Sequence, residues 1–479
     1  MPINRVVRAP QIDFSVLRRE LRLPGEYPAE ALREAQEAAA RTPTATGADR
    51  TDVPLVTVDP ATSRDLDQAL CLTRRTGGGY RVQYAIADVA SFVRPGGPLE
   101  AETWVRGQTV YLPDGKVPLH PTILSEGAAS LLPDADRAAV LWTIDIDAEG
   151  DIAAVGLERA RVRSRAKLDY PGLQAAVDAG RAPESVALLP EVGALLARRA
   201  AGRGAINLPI PEQEIEASGD GWRLVLRAPL PVEEHNAHIS LLTGMAAASL
   251  MLDGGVGLLR TMPPPRAEAV DRLRAAAASL GVAWPDGAPV GDVVAAVDPG
   301  SPRGAAFVDQ AADLLRGAAY TAFAGAPPEQ TGHSGVGAPY AHVTAPLRRL
   351  ADRYATEVCL ALHAGRSVPD WVREALPRLP ASMSATDRVA GAAERGAIDL
   401  AEAVLLADRV GATFDAGVLD VDDAPRNGSP GRRPPGGTIA IDAPAVRARC
   451  TGELPLGERI RVRLTTADPL TRTVLFARA

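Results

Sequence analysis

Residues 58–68 read VDPATSRDLDQ and place three aspartates, Asp59, Asp65 and Asp67, before Gln68. The stretch follows an apolar run at 55–58, and its proline and small polar residues predict a loop at the end of a strand. Three carboxylates in such a loop can converge on a hard cation, since Mg²⁺ prefers oxygen ligands. The same residues also suit a polar turn in which aspartates accept hydrogen bonds from the backbone. The spacing alone leaves both interpretations open.

Length and composition predict a globular protein with several domains. The chain has 479 residues, of which 46% are hydrophobic and 23% are charged, a balance typical of soluble proteins. Typical domain sizes predict roughly two to four folding units. The three cysteines lack disulfide or metal-site spacing, no apolar run reaches the roughly 20 residues of a membrane span, and the N-terminus lacks a secretion signal. We therefore expect a cytoplasmic protein.

The residue patterns predict a mixed α/β (α+β) fold in three parts. They are a helical appendage at 1–50, a main α/β domain at 51–407 and a small β-barrel at 408–479. Apolar spacing predicts a strand at 80–86 and helices at 233–251, 305–323 and 347–363. Short strands predicted at 414–421, 438–441, 460–464 and 473–476 suit an OB-type, ribosomal S1-like barrel. Barrels of this type commonly bind single-stranded nucleic acid.

The charge distribution leaves the nucleic-acid question open. A net charge of −7 is unusual for a protein that binds phosphate backbones over its outer surface, although a local basic channel would be enough. Basic residues recur at every second position at Arg159, Arg161, Arg163, Arg165 and Lys167. In an extended segment they would share one face. This pattern predicts either a basic track for nucleic acid or a strand protected by charge.

Several separate segments, taken in chain order, resemble the RNB catalytic domain of the ribonuclease II and ribonuclease R family. The acidic stretch is followed by AIADV at 85–89, RGQTVYLP at 106–113, AKLDY at 166–170, RGAI at 203–206 and HSGVGAPYAHVTAPLRRLAD at 333–352. The last segment resembles the family signature that ends in a double arginine. Each fragment is weak alone, but their common order makes the resemblance specific.

The resemblance implies Mg²⁺-dependent, processive hydrolysis of single-stranded RNA from a free 3′ end, releasing nucleoside 5′-monophosphates. By motif, Asp59, Asp65 and Asp67 would be the acidic metal-site residues, and Asp67 matches the aspartate most closely tied to catalysis. Arg348 would hold the scissile phosphate, with Arg349 as the second candidate. Two metal ions would activate water and stabilise the attacking and leaving oxygens, and Mn²⁺ would be able to replace Mg²⁺. We expect a monomer.

The resemblance also implies three further RNA-binding residues. Tyr170 matches a tyrosine near the terminal ribose, and Glu233 matches a glutamate near the sugar, whose 2′-hydroxyl distinguishes RNA from DNA. Tyr111 matches an aromatic residue against which bases pack, a contact that tolerates any base. The alternative for Tyr111 is a core tyrosine. The alternative for Arg348 or Arg349 is an ion pair with Asp352 on the helix surface.

Histidines are expected to play supporting roles. His333 and His342 belong to the signature and are expected to orient the loop before Arg348. His235 and His238 lack the spacing of a transition-metal site and are expected to be helix-surface or channel residues.

Some residues depart from the family pattern. Gln68 stands where the family has a second consecutive aspartate, and other family residues are replaced by Ala345, Leu350 and Ser240. A glutamine can still coordinate a metal through its amide oxygen, but it removes one negative charge. We therefore expect lower metal affinity.

The N-terminal segment is too short for the two cold-shock domains of full-length family members, so we expect looser anchoring of long RNA. The runner-up function is a catalytically weakened RNA-binding protein of the same fold. A different metal-dependent phosphoesterase ranks third, because no glycine-rich phosphate loop is present.

Overall fold

A computed structural model describes residues 12–41, 47–208, 212–218, 221–422, 435–441 and 444–479. Within them the α-helices are α1 (Ser15–Glu20), α2 (Ala29–Ala40), α3 (Pro98–Arg106), α4 (Tyr170–Asp178), α5 (Leu189–Gly202), α6 (Pro231–Asp253), α7 (Ala267–Leu280), α8 (Val290–Ala295), α9 (Pro302–Ala311), α10 (Leu350–His363), α11 (Asp370–Ala375) and α12 (Leu379–Leu406).

The strands of the larger domain are β1 (Ala48–Asp49), β2 (Thr57–Asp59), β3 (Gln68–Arg74), β4 (Tyr80–Ala87), β5 (Val110–Leu112), β6 (Gly115–Val117), β7 (Asp136–Ile146), β8 (Ile152–Arg163), β9 (Lys167–Asp169), β10 (Glu212–Ser218), β11 (Gly221–Arg227), β12 (Val256–Thr261), β13 (Ala319–Ala324), β14 (Gly332–His333) and β15 (Ala338–Pro339). Those of the C-terminal part are β16 (Thr413–Val421), β17 (Gly436–Ile441), β18 (Val446–Thr451), β19 (Arg459–Asp468) and β20 (Thr473–Arg478).

A five-stranded sheet in the order β1-β8-β7-β4-β3 lies at the centre of the larger domain. The neighbours are antiparallel, except that β1 runs parallel to β8. The predicted strand at 80–86 is β4, and its side chains alternate between two cores. Tyr84 packs with side chains of α5, α6 and α10, whereas Ala85 packs with Leu99 of α3. Both faces of the sheet are therefore covered.

The N-terminal segment is helical where the structure describes it, and it packs on the main domain. Residues 1–11 and 42–46 of the predicted appendage lie outside the described residues. Leu17 of α1 belongs to the same apolar cluster as Ala393 and Ala397 of α12. Ala35 of α2 packs in the core that also holds Leu99.

Two of the three predicted helices are confirmed, and the third is wrong in its second half. The segments 233–251 and 347–363 correspond to α6 and α10, although α10 begins only at Leu350. The predicted helix at 305–323 ends at Ala311, and residues 319–324 instead form β13, which pairs with β12. Gly317, at φ 90°, suits the chain reversal that follows the helix. Pairing with β12 overrides a helical spacing that alanine-rich sequence supports only weakly.

The C-terminal part is a closed barrel in the order β16-β17-β18-β20-β19, as predicted. The strand β18 was missing from the prediction, because its inward residues Val446, Ala448 and Cys450 include small side chains that give a weak apolar signal. The barrel contacts the rest of the chain through polar groups too. Gln213 donates from Nε2 to Glu402 at 2.9 Å and to the carbonyl oxygen of Ala445 at 2.7 Å.

Among the described residues, no helix combines the length and the apolar character that crossing a membrane requires.

We expect Gly244→Ala to destabilise the protein, because α6 packs directly against Tyr340 and Ala341 at this glycine. A Cβ at Gly244 would overlap the ring of Tyr340 and lie 2.6 Å from the carbonyl oxygen of Ala341. Such overpacking costs about 1 to 3 kcal/mol, measurable as a lower free energy of unfolding in urea. The matched control is Gly202→Ala in α5, where a Cβ meets no atom within 4 Å. Equal effects of the two substitutions would contradict this packing.

Candidate active site

The loop at 60–67, between β2 and β3, is held from two sides. Lys167 on β9 donates from Nζ to two carbonyl oxygens of the loop, each at 2.6 Å. On the other side, the hydroxyl of Ser130 donates to the carbonyl oxygen of Arg64 at 2.7 Å and accepts from the N–H of Leu66 at 3.0 Å. These bonds fix the backbone that carries the aspartates.

The most buried of the three aspartates, Asp67, contacts a segment that lies 280 residues further along the chain. One carboxylate oxygen accepts a hydrogen bond from the N–H of Leu347 at 2.7 Å. The other oxygen lies 3.3 Å from Nε of Arg348, whose side chain is 49% exposed. Asp67 thus orients Arg348 through Nε and leaves the two terminal nitrogens of the guanidinium available to a ligand.

The segment that carries Arg348 is joined to the residues before β5. The N–H of Thr109 donates to the carbonyl oxygen of Arg348, and the N–H of Leu350 donates to that of Gly107, both at 2.9 Å. The arginine and the β5–β6 hairpin are therefore positioned together.

Arg349 has a different environment from Arg348. Its guanidinium makes a two-pronged ion pair with Asp352, with Nε and Nη2 at 2.6 and 2.8 Å from the two carboxylate oxygens. Asp352 also accepts from the N–H of Ala345 at 2.7 Å. The ion-pair interpretation thus applies to Arg349, and this pair closes the turn that presents Arg348.

Asp59 and Asp67 are carboxylates whose burial opposes their charge. Burial raises the pKa of Asp59 to about 6 and that of Asp67 to about 8, although Arg348 lowers both. The Oδ2 atom of Asp59 is buried and has no hydrogen-bond partner. A divalent cation would supply the missing charge, and Mg²⁺ is commonly held by one or two carboxylates together with substrate phosphate. These two residues therefore fit a magnesium site.

Asp65, the third predicted metal-site residue, is held by the β5–β6 hairpin. Lys116 places Nζ 2.9 Å from Oδ1, and the hydroxyl of Tyr111 donates to Oδ2 at 3.2 Å. Among the residues that the structure describes, no three Asp, Glu, His or Cys side chains are arranged to hold one metal ion. Asp65 as found therefore does not complete a three-carboxylate site.

Tyr111 is not a core residue. It lies on β5 with 51% of its surface exposed, so the core-tyrosine interpretation is wrong. Its hydroxyl donates a hydrogen bond to Asp65. Its position next to the Arg348 segment suits contact with a base.

Gln68 is the first residue of β3, and both ends of its amide are used within the protein. Nε2 donates to the carbonyl oxygen of Thr344 at 2.5 Å, and Oε1 accepts from the hydroxyl of Tyr84 at 2.9 Å. Because the backbone carbonyl oxygen of Thr344 can only accept, the amide orientation is fixed. Gln68 is therefore engaged within the protein and is not presented to a metal ion.

Tyr170 and Glu233 lie at the starts of α4 and α6. Burial raises the pKa of Tyr170, and the charge of Asp59 acts in the same direction. The residue before Tyr170, Asp169, pairs with Asp59 between β9 and β2, so this tyrosine follows directly on the strand beside the acidic loop. Glu233 accepts from Arg227 at 2.6 Å and from the N–H of Leu230 at 3.1 Å, so it caps α6. The predicted sugar contact of Glu233 stays a prediction.

The alternating basic residues at 159–167 are engaged with acceptors inside the protein. β8 ends at Arg163, so the five do not lie on one strand. Their acceptors include Asp88 for Arg159, Asp49 for Arg161, Asp136 for Arg163 and a backbone carbonyl for Arg165. This arrangement favours the structural interpretation over a free basic track.

His342, which precedes the Arg348 segment, packs among aromatic rings. His342 shares a hydrogen bond with the Tyr320 hydroxyl through Nδ1 at 2.6 Å and packs edge-on against Tyr340. Burial lowers the pKa of His342 well below its ordinary value, so the ring is neutral. This agrees with the predicted supporting role.

Comparison with known proteins decides the family. The RNB domain matches residues 48–362, and the RNase II-type exonuclease C-terminal S1 domain matches residues 412–479. The chain belongs to the RNB-domain family. The described geometry thus belongs to an RNB domain followed by an S1-type barrel.

Similar proteins include ribonuclease R of Escherichia coli (strain K12), which is 28% identical over 409 residues, or 78% of this chain and 48% of that protein. The chain thus spans about half the length of that relative. Mycoplasma genitalium RNase R in complex with ribose methylated single-stranded RNA has a TM-score of 0.84 at 19% identity, covering 97% of this chain and 77% of that one. Yeast Ssd1, a pseudonuclease, has a TM-score of 0.68 at 17% identity, covering 92% and 53%. The fold alone therefore does not decide activity.

Sequence reasoning missed two side chains of this RNB domain. Lys116 lies five residues after Tyr111, a spacing that allows the two residues to face each other across a tight hairpin. This spacing was the sequence signal for Lys116. His120 is buried behind the Arg348 segment, where Nε2 lies 3.2 Å from the carbonyl oxygen of Pro346. Burial lowers the pKa of His120 to about 4.

His120 should make the fold sensitive to acid. Folding lowers the pKa of His120 from 6.5 to about 4. Above pH 6.5 the ring is neutral in both states, so it does not change the free energy of unfolding. As the pH falls from 6.5 towards 4, the unfolded chain binds a proton that the folded protein does not, and the free energy of unfolding decreases. The loss is up to about 3 kcal/mol. Urea unfolding of wild type and His120→Gln at about pH 7 and about pH 4.5 measures it, since the variant cannot titrate there. Identical losses in both proteins would contradict this role.

Proposed function

We propose that this chain is a divalent-metal-dependent exoribonuclease that shortens single-stranded RNA processively from its 3′ end. The observation that carries the proposal is the contact of buried Asp67 with half-exposed Arg348. An arginine oriented by a carboxylate at one nitrogen and free at two others is suited to gripping a phosphate. The proposal further includes release of nucleoside 5′-monophosphates, a cytoplasmic location and a monomeric state.

Each of these residues has a distinct task. Arg348 binds non-bridging oxygens of the scissile phosphate and stabilises the charge that grows on them. Asp59 and Asp67 would hold Mg²⁺, and the bound ion would lower the pKa of water so that hydroxide would be available near neutral pH. Tyr111 offers its exposed ring to a base, and Tyr170 contacts the terminal ribose.

A second candidate function is an RNA-binding protein that has lost most of its activity. It is favoured by the engagement of Asp65 with Lys116 and of Gln68 with Tyr84 and Thr344, which leaves fewer free oxygens for metal. The two functions separate in one assay. Single-stranded RNA labelled at its 5′ end is incubated with the full chain and Mg²⁺, and products are resolved at single-nucleotide spacing. A ladder of shortened RNA supports the exoribonuclease, whereas tightly bound intact RNA supports the second candidate.

Asp67→Asn should abolish cleavage and leave RNA affinity nearly unchanged, because the amide can still accept from Leu347 but cannot supply the charge that holds Mg²⁺.

Arg348→Ala should lower the cleavage rate by roughly 30- to 900-fold, equivalent to about 2 to 4 kcal/mol of lost transition-state stabilisation. Single-turnover cleavage and filter binding give the two quantities.

The matched controls are Asp286→Asn in an exposed turn and Arg316→Ala, whose side chain is 77% exposed and pairs with Asp313. Both controls should cleave like wild type. An Asp67→Asn protein that retained full activity would refute the catalytic assignment.

Tyr111→Ala should weaken RNA binding by about 1 to 3 kcal/mol, the usual contribution of one stacked base. Tyr111→Phe retains the ring and loses only the hydrogen bond to Asp65, so it should bind RNA like wild type. Equilibrium binding of the same single-stranded RNA to the two variants measures the difference. If the two substitutions weaken binding equally, the hydroxyl and not the ring is what matters.

A further inference from the structure

The β5–β6 hairpin delivers two side chains to one carboxylate. Tyr111 and Lys116 face each other across the hairpin, which turns through Pro113 and Asp114. Directly opposed residues of an antiparallel pair project to the same side. Tyr111 reaches one oxygen of Asp65 and Lys116 reaches the other. Both oxygens of this carboxylate are thus occupied by the hairpin.

Lys116 lies between two acids. Its Nζ is 2.9 Å from Asp65 and 2.9 Å from Oε1 of Glu126. An amine held between two carboxylates is an ammonium, so Lys116 supplies positive charge beside Asp65.

The acidic site is thus divided into two unlike halves. In the half formed by Asp59 and Asp67, one oxygen of Asp59 is buried and unpartnered. Two carboxylates there share one guanidinium, that of Arg348, which lies 3.3 Å from Asp67. The half around Asp65 has its positive charge already, from an ammonium group only 2.9 Å away.

We propose that Lys116 is a positioning residue that takes the place of a second metal ion, so that the site binds one divalent cation. The ion would be held by Asp59 and Asp67, and a second ion at Asp65 would be repelled by the Lys116 ammonium at short range. This inference rests on the proposed function, because it assigns the metal count of the same site. It replaces the two-ion expectation from sequence.

Counting bound Mn²⁺ tests the inference without reference to activity. The full chain is titrated with Mn²⁺, and free ion is measured by electron paramagnetic resonance. Wild type should bind one ion. Lys116→Met, which retains the length of the side chain and removes its charge, should bind two. Lys116→Arg retains the charge and should bind one. The ion gained by Lys116→Met is then due to the lost charge, which a purely structural role of Lys116 would not predict.

Each outcome is decisive. Two ions in wild type, or one ion in a folded Lys116→Met protein, overturn the inference. If circular dichroism shows that Lys116→Met is unfolded, Lys116→Gln takes its place, and the wild-type count stands independently. The second ion should disappear in Lys116→Met combined with Asp65→Asn; its persistence would also overturn the inference.

The RNA ladder assay separates this inference from the proposed function. A wild type that degrades RNA and binds two ions overturns only the inference. A wild type that leaves RNA intact and binds no Mn²⁺ overturns the proposed function and the inference with it.

Discussion

The contact of Asp67 with the N–H of Leu347 and with Arg348 joins two segments that lie 280 residues apart. Burying a carboxylate is costly unless charges and hydrogen bonds compensate it. Asp67 is nine-tenths or more buried, so the acidic loop and the arginine segment must be placed correctly relative to each other. The relative position of the acidic loop and Arg348 depends on this contact.

The arginine segment is rigid because each part of it is fixed by a different element. The Arg349–Asp352 ion pair closes its end, and backbone hydrogen bonds join it to the residues before β5. Gly244 lets α6 approach Tyr340 without a side chain between them. A functional group is held precisely enough for chemistry when its supports are helices and strands. Arg348 can therefore stay half exposed and still be oriented.

The sequence predicted those features that local pattern determines. Alternation at 80–86 and helical spacing at 233–251 correspond to β4 and α6. The second half of 305–323 failed because its strand depends on pairing with β12, which no local pattern encodes. The prediction that Asp67 and Arg348 belong to one site came from the resemblance of several motifs, in chain order, to the RNB domain. The role of Lys116 was missed because it arises from cross-strand pairing and from Glu126, which lies on another segment.

Charge balance explains why the substitution at Gln68 and the presence of Lys116 belong together. A second aspartate at position 68 would add a negative charge beside Asp67, whose burial already opposes its own charge. Gln68 instead satisfies Tyr84 and Thr344 as a neutral group. Lys116 then cancels Asp65 from the other side. Both residues reduce the negative charge of the acidic site, as the proposal of a single divalent ion at Asp59 and Asp67 requires.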